Sequence, residues 1–125
     1  MQTKIDGYYA TFEANVPADL VGKEYYYVEL VGGTRKIQLY TNGVAIGVLE
    51  TRLQGGKDWT VRLLGGGGSY KVKASGAITH LAAVKAANGG TAVAQGGAGR
   101  ITGYLLAPED DAAADDICEV LDQLA

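Results

Sequence analysis

The residues of this sequence that can do chemistry are few and scattered: one histidine, one cysteine, a run of acidic residues and a run of glycines. A hydrolytic triad in most of its versions needs a histidine as base, and the one candidate is His80, in a strand-like stretch before Leu81. A lone strand histidine reads as a hydrogen-bonded surface or core group. Cys118, with Ile117 and Val120 for neighbours, reads as a small buried thiol, and a single cysteine closes no intrachain disulfide. Zinc needs several His or Cys ligands, and one of each does not supply them. The acidic residues Glu109, Asp110 and Asp111, with Asp115 and Asp116, have the oxygen donors calcium prefers, but they lack EF-hand spacing and its turn glycine, so they read as a solvated loop. Gly65-Gly66-Gly67-Gly68-Ser69 lacks the Lys-Ser/Thr ending and the following helix of a phosphate-binding loop, and reads as a hairpin tip. An enzyme assembled from Glu50, Asp58 and Asp115 would require strongly shifted carboxylate pKa values in a cleft. The expectation is a protein with no catalytic residue, no metal and no cofactor.

The tyrosines offer binding rather than catalysis. Tyr25-Tyr26-Tyr27 with Tyr8, Tyr9 and Tyr40 can form a stacking platform for sugars or bases, since tyrosine joins apolar area to a polar tip. In an alternating strand, however, Tyr26 faces away from Tyr25 and Tyr27, which favours core packing and subunit contact.

The elements that must position these residues are short. At 125 residues the chain suits one domain, and 19 Gly against 2 Pro, well above the usual glycine share of about 7%, implies many chain reversals. The formal charge of −3, with Lys and Arg dispersed, builds no basic stripe for a phosphate backbone, so nucleic-acid binding is not expected. No run approaches the roughly 20 apolar residues that span a bilayer, and Met1–Asp6 lacks the apolar stretch of a secretory signal. No membrane partner is expected, and synthesis is expected in the cytoplasm.

Sliding the sequence on itself by 56 residues pairs Glu24–Leu64 with His80–Val120 without a gap. Val28 falls on Val84, Gly33 on Gly89, Gly43 on Gly99, Gly47 on Gly103 and Leu49 on Leu105, with Ile37/Val93 and Val61/Ile117 as conservative pairs. Each half reads as strands between glycine turns: Tyr25–Val31, Lys36–Tyr40, Val44–Glu50, Asp58–Leu64 and Ser69–Lys73, then His80–Ala86, Thr91–Ala94, Arg100–Leu106 and Asp116–Leu121. Asp58–Leu64 sets Trp59, Val61 and Leu63 against Asp58, Thr60 and Arg62, as a strand buried on one side does. In the last segment Ile117, Val120, Leu121 and Leu124 have helical spacing, but register with the first half favours a strand. Residues 1–23 match neither half and read as an N-terminal arm with an edge strand; 24–125 form the β domain. The predicted fold is all-β, a small antiparallel β-barrel or sandwich of two tandem similar halves.

Val44–Glu50, then a charged loop, then Trp59–Leu63, and later Tyr70–Thr79, resemble the capsid decoration (cement) proteins of tailed phages, a lambda head-decoration-like group. The ending Gly103–Ala107 with Asp116–Leu121 is similar to that family's carboxy-terminal strand pair, and the resemblance covers residues 24–121. The tyrosine-rich Glu24–Tyr27 and the tail Asp122–Ala125 depart from it. The resemblance implies a virion protein on the outer capsid surface that stabilises the shell, assembles as a homotrimer and touches the major capsid protein through an amino-terminal arm. A cement needs no chemistry, only a rigid fold, no exposed edges and a segment able to add to a neighbour's sheet. The candidate capsid contacts are Gln2, Thr3, Lys4, Ile5, Tyr8, Tyr9 and Phe12, which lie outside the repeated body; the candidate oligomer contacts are Tyr25, Tyr27, Gln54, Lys57 and Asp58. The alternative is another virion or surface binding module, such as a carbohydrate-binding β-sandwich using the tyrosines and Trp59.

Overall fold

The structure is a computed structural model that describes residues 8–52, 58–65, 67–97, 99–108 and 112–122. It is all-β apart from one helical turn. The strands are β1 (Tyr8–Glu13), β2 (Tyr27–Leu30), β3 (Ile37–Leu39), β4 (Ala45–Arg52), β5 (Asp58–Leu63), β6 (Ser69–Lys73), β7 (Ala83–Ala86), β8 (Ala92–Ala94), β9 (Gly103–Ala107) and β10 (Ile117–Asp122), with α1 at Pro17–Leu20. Proline at the first position of α1 costs no hydrogen bond there, and the turn delivers Leu20 to the core.

The strands form two antiparallel five-stranded sheets, ordered β1-β5-β4-β2-β3 and β6-β10-β9-β7-β8, so the second repeats the plan of the first strand for strand. The 56-residue spacing holds in the central strands, where Val28 faces Gly47 and Val84 faces Gly103. It then drifts. Leu30 faces Ile37 while Ala86 faces Ala92, so the counterpart of Ile37 is Ala92 and not Val93, because the β7–β8 turn is one residue shorter. Leu49 faces Val61 while Leu105 faces Val120, so the counterpart of Val61 is Val120 and not Ile117, because the β9–β10 connection is three residues longer. β1 takes the place in the first sheet that β6 takes in the second: Ala10 faces Val61 and Tyr70 faces Val120.

Two local features recur in both halves. A Cβ at Gly47 or Gly103 would press on the backbone carbonyl of Arg62 or Leu121 and lie 2.5 Å from Val61 Cγ1 or Val120 Cγ1, so only glycine lets the neighbouring strands approach. Tyr25 and Leu81 both hold positive φ, 71° and 68°, and their N–H groups donate to the carbonyls of Leu49 and Leu105. Single parallel bridges, Ala14 to Ile37 and Ala74 to Ala92, draw the edges of each sheet together without closing a barrel.

Each sheet curls over its own core. The first core holds Val28, Ile37, Leu49, Trp59, Val61, Ala14 and Leu20. The second holds the counterparts Val84, Ala92, Leu105, Cys118 and Val120, of which Ala92 and Cys118 are smaller than Ile37 and Trp59, together with Tyr70, Val72, Ala74, Ile78 and Ala112 and three residues of the first sheet: Tyr27, Ala45 and Val48. Tyr27 and Val28 point to opposite sides of one strand, so the first sheet is covered on both faces. Arg62, expected on the solvent side of an alternating strand, is therefore 1% exposed. β10 is a strand, as the register with the first half indicated.

Candidate functional site

The residues singled out for chemistry are structurally occupied or apart. His80 Nε2 lies 3.1 Å from the Leu106 carbonyl oxygen. Cys118 donates its thiol to the Val72 carbonyl at 3.3 Å, and burial pushes the thiol up to about 11, which suits packing and not nucleophilic attack. Asp116 accepts from the Ala113 amide, and Asp115 lies 3.8 Å from Lys73 Nζ. Among the described residues no three His, Cys, Asp or Glu side chains gather as a metal site; Glu109, Asp110 and Asp111 lie outside them. Burial raises the Glu50 carboxyl, opposed by the charges of Arg62 and Lys71.

The most organised polar site is the junction between the two sheets. The Tyr27 hydroxyl lies 2.8 Å from both Tyr70 Oη and Thr102 Oγ1, and the two tyrosine rings meet edge to face with centroids 6.0 Å apart. Tyr70 donates to the Thr102 carbonyl and Thr102 Oγ1 donates to the Val84 carbonyl, leaving the Tyr27 proton for one of the two neighbouring oxygens. Burial raises both phenols, Tyr70 to about 12 and Tyr27 well above its ordinary value, so they stay neutral donors. Beside them Arg62 Nη1 meets Asp122 Oδ2 at 2.6 Å with both side chains almost wholly buried. Further bonds hold the pair: Arg62 donates to the carbonyls of Leu63 and Gly67, and Asp122 accepts from the Gly65 amide. Gly65 thus serves the carboxylate of Asp122, and Gly67 the guanidinium of Arg62. Arg100 Nη1 donates to the Ala45 carbonyl at 2.8 Å. Main-chain bonds also cross the junction, from Lys73 N to Tyr25 O, Tyr27 N to Gly90 O and Gly89 N to Tyr40 O. These contacts fix one sheet on the other.

Elsewhere Glu29 is buried in a cage of donors. Burial alone would raise its carboxyl, but hydrogen bonds from the Thr41 amide and hydroxyl, Gln38 and the Gly43 amide outweigh it and hold the group below its ordinary value.

Of the candidate contact residues, Gln2, Thr3, Lys4, Ile5, Gln54 and Lys57 lie outside the described residues. Tyr8, Tyr9 and Phe12 share β1, an edge strand; Tyr9 is 51% exposed, and Phe12 is half-buried with Arg35 over its ring at 5.4 Å. Asp58 opens β5 opposite Glu13. Tyr25 is half-buried at the junction, whereas Tyr27 is wholly buried and offers no surface to another chain in this fold. Strand alternation begins only at Tyr27, so Tyr26 is set by its own contacts, between Lys23 Nζ at 5.0 Å and Lys73 Nζ at 5.8 Å.

One surface was not anticipated. The outer face of the second sheet exposes Tyr104 and Leu106 on β9 and Ile117 and Leu121 on β10, with Leu81 just before β7. The signal was present in Gly103–Ala107 and Ile117–Asp122, where apolar side chains occupy both parities of the strand.

No family model matches the sequence, and no curated protein matches it. Among solved structures, the fold is similar to that in the crystal structure of the head fiber gp8.5 N base of bacteriophage phi29, with a TM-score of 0.62 over 93% of each chain at 17% identity. The likeness runs over nearly the whole of both chains, and what it establishes is a shared fold.

Proposed function

We propose that the chain is a structural virion protein that binds the outer surface of a phage capsid and stabilises the shell as a decoration (cement) protein. The carrying observation is the fold likeness, over 93% of both chains, to a protein described as the base of a phage head fiber. A junction built to hold two sheets rigidly, with its polar groups engaged by one another, suits a part whose task is mechanical. In this reading the partner is the major capsid protein, and the chain works as a homotrimer on the virion surface. The capsid contacts are residues 2–5 with Tyr8, Tyr9 and Phe12; β1 is an edge strand whose outer main-chain groups can add to a neighbour's sheet. Tyr25, Gln54, Lys57 and Asp58 remain the oligomer contacts proposed from sequence.

The test is co-sedimentation of the purified chain with expanded phage shells stripped of decoration. Saturable binding at a fixed ratio to the major capsid protein is expected, and it weakens at least tenfold when residues 2–7 are removed and Tyr9 is changed to Ala. Absence of binding to any such shell would overturn the reading and turn attention to a glycan screen. Unchanged binding by the truncated variant would remove the arm from the contact.

A further inference from the structure

The two halves share one plan, so strand residues of the internal junction have counterparts at the free ends of the molecule. On the side given by the first half, Tyr25, Val48 and Arg62 correspond by register to Leu81, Tyr104 and Leu121 of the second. The first three are buried or half-buried; the second three are 62%, 37% and 46% exposed. On the side given by the second half, Tyr70, Arg100, Thr102 and Asp122 correspond to Ala10, Val44, Ile46 and Leu63, at the open end of the first. There Val44 is 64% exposed, and Leu30, the counterpart of Ala86, is 40% exposed.

The substitutions are reciprocal. The junction pair Arg62 and Asp122 becomes Leu121 on one free surface and Leu63 on the other. The hydroxyl cluster of Tyr27, Tyr70 and Thr102 becomes Ala83 on one and Ala10 with Ile46 on the other. At both of these clusters the junction joins polar to polar, and the free surfaces offer apolar to apolar. Repeat arrays that end in water carry polar caps at such positions; both ends of this molecule do the opposite. We infer that a second copy of this chain docks here, the open end of its first half seating on the outer face of the second half around Leu81, Tyr104 and Leu121. The contact continues the internal junction from chain to chain. It is heterologous, so copies join head to tail and close into a ring where the rotation allows. This gives a surface to the oligomer proposed above. Its test reads mass in solution, whereas shell binding is read by co-sedimentation, so either can fail alone.

The experiment uses the full chain and two exposed substitutions, Leu121→Asp on the outer face and Val44→Asp at the open end, with Tyr104→Lys and Leu30→Lys as a second pair should either first variant lose its thermal transition. Light scattering of the wild type between 10 µM and 1 mM, about the range in which a weak protein contact saturates, is expected to show oligomers. Each single variant is expected to be monomeric. An equimolar mixture of Leu121→Asp with Val44→Asp is expected to give dimers and nothing larger, since one competent interface remains between the two. A wild type that stays monomeric at 1 mM, single variants that keep the wild-type mass, or a mixture that stays monomeric would each overturn the inference.

Discussion

The first half fills its own core; the second half does not. Trp59 and Ile37 occupy the first, while the matching strand positions of the second hold Cys118 and Ala92, and the missing volume is supplied by Tyr70 from within and Tyr27 and Val48 from across the junction, beside Ile78, which is buried between β6 and β7 as Leu20 is between β1 and β2. Backbone register is the same in both, fixed by Val28 and Val84 against Gly47 and Gly103. One chain plan therefore tolerates two distributions of side-chain volume, provided that total packing is kept. The second half has become dependent on the first, and the polar network between them is the part of the molecule where the two stop being alike.

That comparison can be broken most severely at the buried ion pair. Arg62→Met leaves Asp122 buried without its partner and should cost about 3–5 kcal/mol in urea unfolding. The double variant Arg62→Leu with Asp122→Leu, which writes the free-surface pair Leu121 and Leu63 into the junction, should return to within about 1 kcal/mol of wild type, since well-packed apolar residues often replace buried ion pairs at little cost. A double variant as unstable as the single one would show that the two surfaces are not interchangeable.

Glycine tests the shared plan itself. Gly47→Ala and Gly103→Ala each force a Cβ onto a neighbouring backbone carbonyl and should each cost about 3 kcal/mol. Losses differing by more than about 1 kcal/mol, measured by the same unfolding, would mean that only one half needs the close approach. Tyr27→Phe probes the dependence of the second half on the first. Losing the hydroxyl that joins Tyr70 and Thr102 should cost about 1–2 kcal/mol.

Acid separates the halves by a difference in charge. Glu29 stands where Lys85 stands in the second half, each beside the matching Gly43 or Gly99. The folded carboxyl of Glu29 lies below its ordinary value of 4.5, so its contribution to stability is present above that pH and is lost as pH falls through the folded value. The stability gap between wild type and Glu29→Gln should accordingly narrow in acid, and a gap constant from pH 7 to pH 3 would remove the donor cage as its cause. The smallest effect is chemical: with its thiol pushed up to about 11, Cys118 should react with a disulfide reagent at neutral pH only as fast as the protein unfolds.

Much of this architecture was legible in the sequence. Glycine turns and apolar alternation located the strands from β2 to β10 within a few residues, and the 56-residue match was correct wherever loop lengths agree. It failed at Ile37 and Val61 because an ungapped comparison carries no information about a shortened turn or a lengthened connection. Arg62 and Tyr27 were misjudged for a different reason. Periodicity within one strand reports that two faces exist, but what covers the second face is decided by a sheet more than 40 residues away in the chain. The apolar outer face of the second sheet was visible as Tyr104, Leu106, Ile117 and Leu121, and took on meaning only once register showed which residues they replace.

β5 ends at Leu63 and β6 begins at Ser69, so the second half starts a few residues from where the first ends. A tether this short holds the second half at a local concentration of about millimolar or above. As a nascent or refolding chain completes its first sheet, the exposed Tyr27, Val48 and Arg62 therefore meet their own Tyr70 and Asp122 before those of a neighbour. The short tether thus favours closure of the junction within one molecule over exchange of halves between chains.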